Sequence, residues 1–116
     1  DYMTDYNERF LASEIIREKV FEFYGEEIPY STTVEIEEFK EREAGKDFIK
    51  AIIYVERESQ KGIIIGKDGK AIKHVGLIAR EEIEKEIGRK VYLELLVKVI
   101  EKWRKDKSKL YKLGYK

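Results

Sequence analysis

Two glycines three residues apart, Gly66 and Gly69, enclose Lys67 and Asp68 within the run Gly62-Ile63-Ile64-Ile65-Gly66-Lys67-Asp68-Gly69-Lys70-Ala71-Ile72-Lys73. Glycine permits backbone torsions that side chains block, and with no Cβ atom it lets another backbone come close. The residues before the pair read as a short helical turn and those after it as an amphipathic helix. The turn therefore ends at a helix N-terminus, whose free N–H groups and dipole favour phosphate oxygens. Lys67, Lys70 and Lys73 add positive charge around that point. The chemistry is recognition rather than reaction, and the expected occupant is a sugar–phosphate backbone several nucleotides long. The alternative is a plain corner between two helices in which the glycines serve only as caps.

Other phosphate and catalytic patterns fail on spacing. A P-loop needs four residues between its glycines and then Gly-Lys-Ser/Thr, whereas Gly62 and Gly66 enclose three and Lys67 is followed by Asp68. No Gly-x-Gly precedes a third glycine, so the dinucleotide fingerprint is absent too. His74 is the sole histidine and there is no cysteine, which leaves no metal-ligand set around it. Glu37-Glu38 and Glu81-Glu82 are adjacent pairs, which do not share a face of a strand or helix and read as solvated surface. Neither a nucleophile–base pair nor a cofactor motif is evident, so the chain is not expected to be an enzyme.

The elements that must hold the glycine turn follow from periodicity. Asp5 and Glu8 resemble a capping box, and Leu11, Ala12, Ile15, Ile16, Val20 and Phe23 then fall on one side of a helix that Gly25 ends. Phe10 and Phe21 share the other side and are expected to wrap around the edge of the core. Ser31–Glu43 reads as a strand in which the apolar parity shifts at Phe39, a hint of a bulge near Glu37–Glu38. Ala44–Asp47 is the turn into a second strand, Phe48–Arg57. Both faces of that strand are substantially apolar, which places it inside the sheet or under a ligand groove. Ser59 is a candidate cap for the short helix Gln60–Ile65, and the longer helix runs from about Lys70 to Ile87, where Gly88 stops it. Its stripe is Ile72, Val75, Ile78, Ala79, Ile83 and Ile87. Val91–Ile100 alternates cleanly as a third strand, and a short helix with Leu110 and Leu113 closes the chain. Three strands with helices on one face make a small α+β sandwich.

At 116 residues there is room for one domain. Its 42% apolar residues suffice for one core, and 41% charged residues is well above the usual quarter. A net charge of zero conceals a polarity: residues 1–58 carry 8 Lys/Arg against 16 Asp/Glu, and residues 59–116 carry 16 against 8. A basic half suggests a polyanionic partner, and the plainer reading is that the halves attract each other within one fold. No apolar run approaches the roughly 18 residues of a membrane span, and no signal peptide opens the sequence. Residues 1–6 read as the remnant of an interdomain linker.

The run Ile64–Ile72 resembles the signature of KH domains, whose GxxG loop clamps about four nucleotides of a single strand. A helix and strand ahead of that core resemble the type II arrangement found in bacteria. Glu14–Lys19, Glu26–Tyr30, Val55–Gly62, Val91–Leu95 and Leu113–Tyr115 extend the resemblance over nearly the whole chain to the C-terminal domain of the Era GTPase family. That resemblance implies a type II KH fold of the α+β class, a three-stranded mixed β-sheet with helices on one face plus a C-terminal helix, that binds single-stranded RNA near the 3′ end of small-subunit ribosomal RNA during subunit maturation. It also implies a GTPase domain as covalent partner, with GTP hydrolysis located there, no cofactor in this chain, and a cytoplasmic protein with peripheral association at the inner membrane. By position, Gly66, Lys67, Asp68 and Gly69 would form the clamp, helped by Lys70 and Lys73. Ile63, Ile64 and Ile72 would floor an apolar groove, and Ala51 and Ile53 would supply its other wall. The same isoleucines read equally well as core. Asp68 departs from a purely basic loop and is expected to cap the following helix with its charge turned from RNA. Trp103 and the tyrosines are expected mostly to pack rather than to stack on bases. The rival readings are a KH module of another ribosome- or transcription-associated protein, and a protein-interaction module with an inert turn.

Overall fold

The structure is a computed structural model that describes residues 2–100, with side chains from Asn7 onward. The closing helix expected around Leu110 and Leu113, the basic stretch 102–116 and Trp103 lie outside the described residues.

Helix α1 spans Tyr2–Tyr24 and passes into a 3-10 turn, Gly25–Glu27, at Gly25 with φ +62. Asp5 therefore lies inside the helix rather than at its cap, and residues 2–6, read as linker, are helical. Strand β1 is Thr33–Lys40 and β2 is Asp47–Val55. Helix α2, Glu58–Ile65, a 3-10 turn at Lys67–Gly69, and helix α3, Lys70–Ile87, lead to strand β3, Val91–Val99.

The sheet order is β1-β2-β3, with β1 antiparallel and β3 parallel to β2. The parallel pair needs a crossover, which α2 and α3 provide. In the register of β1 against β2, Glu37 has no partner between Ile36 and Glu38, the bulge expected from the parity shift. With that extra residue Val34, Ile36 and Phe39 face the same side as Ile53, Ala51 and Ile49. Those side chains, with Leu93, Leu95 and Val97 opposite them on β3, meet Ala12, Ile15, Ile16 and Val20 of α1 and Val75, Ala79 and Ile83 of α3 in one core.

Three details differ from the periodicity. Phe23 is 46% exposed, and Tyr24, one residue on, takes the buried place at the helix end. Phe10 is exposed instead of covering the edge of the core; Phe21 does pack there, as expected, beside Tyr30, ring centroids 5.3 Å apart. Asp47, read as a turn residue, opens β2 with 1% exposure. It is tolerated because Arg89 Nε donates to it at 2.7 Å and the Arg42 N–H donates at 3.1 Å. Arg89 also forks onto Glu8 at 2.8 and 3.2 Å, so its hydrogen bonds to Glu8 and Asp47 push its pKa up and fasten α1 to the β3 start. This junction joins the acidic and basic halves within the fold.

Candidate nucleic-acid interface

The short helix α2 is held at both ends by side chains. Gln60 Oε1 accepts from the N–H groups of Glu56 and Arg57, both at 3.0 Å, so Gln60 fixes the start. Ser59, the expected cap, is already one residue inside the helix. At the other end the Tyr24 hydroxyl donates to the carbonyl of Ile64. Burial pushes that phenol up to about 12, so it stays a donor at neutral pH. Ile64 itself is fully buried and roots the helix in the core.

The turn that follows needs its two glycines for different reasons. Gly66 has φ +74 and ψ 175, a combination essentially reserved for glycine. Its N–H donates to the Gly62 carbonyl at 2.9 Å. A Cβ there would lie 2.6 Å from Cβ of Ala71, so only glycine lets the turn fold down on the first residues of α3. Asp68 at φ +57 and Gly69 at φ +72 are both left-handed, a conformation aspartate tolerates better than most residues. A Cβ added at Gly69 would meet nothing within 4 Å, so this side of the turn is open to an approaching backbone. Lys67, Asp68, Lys70 and Lys73 are exposed around it.

The expected capping role of Asp68 is not seen. The N-cap of α3 is Gly69 and no side chain caps that helix, because Asp68 sits one residue too early in a left-handed turn. The N-terminus of α3 thus keeps its dipole facing the glycine turn, with lysines on both sides of Asp68.

A groove of about 460 Å³ begins at Ile72, in the first turn of α3, and runs along that helix, bounded by β3. Ile72, Leu77, Leu93 and Leu95 make it apolar, Lys46, Lys73 and Arg80 rim it, and no carboxylate lines it. Arg80 is steadied by Glu84 at 3.1 Å. Glu84 in turn accepts the Val91 N–H at 2.8 Å, which with Arg80 holds its carboxyl below the usual carboxylate range. β3 is the edge strand, paired only with β2 among the described residues. The Lys90 carbonyl and the Ile100 N–H both bond to β2. In a parallel strand each residue's N–H and C=O leave on the same side, alternating along the chain. The backbone groups of Leu93 and Leu95 consequently point away from β2, along the groove.

The groove has a different far wall from the one expected. Ala51 and Ile53 are at 0% exposure, because β2 is the central strand and its inner face is covered by helices. Ile64 is core as well, as the buried residue of α2. Of the expected floor, Ile72 lines the groove, and Ile63, 37% exposed, does not. The sequence reading missed Leu93, Leu95, Tyr92, Lys46 and Arg80. The clean alternation of Val91–Ile100 identified the strand, but not that it lies at the edge. His74 is exposed on α3 with its ring 5.0 Å from Phe23, as expected for a surface residue. Among the described residues no group of His, Asp and Glu could hold a metal ion.

A family model described as KH domain matches residues 27–104. GTPase Era of Thermotoga maritima is 56% identical over the whole chain, which spans 39% of that protein's length. GTPase Era of Geobacter metallireducens is 55% identical over 99% of the chain, again 39% of its length. Among solved structures, Aquifex aeolicus Era bound to GDP and aluminium fluoride superposes with a TM-score of 0.78 at 46% identity, covering 92% of this chain and 36% of the other. An Era complex with MgGDPNP and nucleotides 1506–1542 of 16S ribosomal RNA matches with the same TM-score, identity and coverage.

Proposed function

The chain belongs to the KH domain family and corresponds to the C-terminal KH region of Era GTPases, and from that premise we propose that it binds a single strand of RNA in the turn-and-groove described above. The observation that carries this reading is an open, glycine-built turn at the start of α3 together with an apolar groove that begins at Ile72 on the same helix, has a cationic rim and, among the described residues, no acid. The clamp is Gly66–Gly69. Lys67, Lys70 and Lys73 neutralise phosphates, bases lie on Ile72, Leu77 and Leu95, and the outward backbone groups of Leu93 and Leu95 read base edges. Asp68 remains in the clamp through its left-handed backbone, its charge offset by the flanking lysines.

The natural RNA is the 3′ region of small-subunit ribosomal RNA, acting during subunit maturation. This is supported by the relative held on nucleotides 1506–1542 and by 46% identity to it. The chain serves as the RNA-recognition part of an Era-like protein whose GTP hydrolysis lies in the portion of the relatives that this chain does not span. No helix among the described residues is long and apolar enough to cross a membrane. Its working place is the cytoplasm, where that RNA is found.

The test is titration with the 1506–1542 RNA at two salt concentrations, with Lys67→Asp alongside. Affinity should fall with salt at a slope of about −0.7 per phosphate contacted. Lys67→Asp puts two acids in the turn and should abolish binding while leaving the melting temperature nearly unchanged, because Lys67 is exposed. Unaltered affinity in that variant would discredit the clamp, and no binding even at low salt would favour a protein-interaction module.

A further inference from the structure

The groove does not end where its apolar floor ends. Its far end, away from the glycine turn, is marked by Lys46, Arg80 and Tyr92. Leu95 lies beside Gly76 on α3, and three residues of strand carry β3 back about 10 Å to Tyr92. Tyr92 belongs to the opposite face of the sheet from Leu93 and Leu95, yet as an edge-strand residue it borders the groove and is 56% exposed. Its ring is held flat: Phe48, its register partner on β2, stacks on it with centroids 5.9 Å apart and planes 19° apart. Phe48 is in turn covered by the Arg42 guanidinium at 5.8 Å. An exposed tyrosine anchored on a second ring offers a pre-set aromatic surface at low entropic cost, and two cations, Lys46 and Arg80, line the same groove.

We infer that Tyr92 is a stacking site for a nucleotide beyond those held in the clamp and groove, so that the bound strand turns over the edge of β3 onto the outer face of the sheet. Arg80, steadied by Glu84, and Lys46 hold the phosphate at that turn, and the Phe48–Arg42 stack fixes the ring that receives the base. This inference rests on the RNA reading of the groove. It adds that the footprint is longer than the clamp alone would set, and that its end is read by stacking, which tolerates any base.

The experiment measures binding of the 1506–1542 RNA and of a nested series shortened stepwise from each end. The proteins are the unaltered chain, Tyr92→Phe, Tyr92→Leu, Tyr92→Ala and Lys67→Asp. Loss of a base–aromatic stack should weaken binding of the longest RNA by about tenfold in Tyr92→Ala and in Tyr92→Leu, which keeps apolar contact with Phe48 but not the ring. Tyr92→Phe should bind as the unaltered chain does. The deficit should vanish at one step of the series, when the stacked nucleotide is removed. A deficit that is absent throughout, or equal at every length that still binds, overturns the inference. If Lys67→Asp abolishes binding while the Tyr92 variants do not weaken it, the clamp stands and only the extension fails. If Lys67→Asp is also without effect, the underlying RNA reading fails with it.

Discussion

At Gly66 the backbone sits at φ +74 and ψ 175 with Ala71 pressed against the place a side chain would occupy, whereas Gly69 has a left-handed but open position. The spacing of the pair was legible in the sequence; the division of labour was not, because it depends on which glycine faces α3. The difference is measurable. Gly69→Ala should cost about 1–2 kcal/mol, the ordinary penalty for a β-carbon in a left-handed residue. Gly66→Ala should cost more, since it adds a 2.6 Å contact between two β-carbons to a torsion that non-glycine residues avoid. Denaturant melts of the two variants decide this, and equal losses would mean that Ala71 yields more easily than its place in the first turn of α3 suggests. Asp68 illustrates how a local rule misleads: an acid just before a helix suggests a cap, but the residue lies one position too early to serve.

The eight residues of α2 are too few to be stable alone, so the turn's position depends on what pins that helix. Gln60 fixes its start, Ile64 its buried side, and the Tyr24 hydroxyl its last turn. Removing that hydroxyl in Tyr24→Phe should cost about 1 kcal/mol. The pH dependence has a definite sign. Burial raises the folded-state pKa of Tyr24 from 10.0 to about 12, so the stability linked to its protonated form is fully present below pH 10 and is lost as pH rises through the interval up to 12. The stability gap between the unaltered chain and Tyr24→Phe should therefore narrow between those pH values. A gap that stays constant when unfolding is measured across them would contradict the burial of this phenol. Periodicity placed Phe23 in the stripe and passed over Tyr24, since a neighbour is only 100° away around the helix and the stripe is broad.

Over the whole molecule, the order of elements, the bulge at Glu37 and the terminations at Gly25 and Gly88 follow from apolar spacing and glycine placement, while the mixed sheet was implied by the family resemblance. The strand order does not follow in the same way. β2 is apolar on both faces, so its pattern announces burial without saying which strand lies at the edge. Ala51 and Ile53, placed in the groove wall by the family resemblance, are core, and Leu93 and Leu95 line the groove. The junction of Glu8, Asp47 and Arg89 was equally hidden, because its members lie up to 81 residues apart. Their pairing accounts for part of the opposed charge of the two halves, while the lysines around the glycine turn remain exposed. In the proposed mode of binding, RNA enters where Gly69 leaves the backbone open and lies against the outward backbone of β3. Amide chemical-shift mapping during titration with the 1506–1542 RNA tests it most directly. The largest shifts are expected at Gly66–Lys70, Leu93 and Leu95. Shifts confined to α1 and β1, with the glycine turn unmoved by bound RNA, would contradict it.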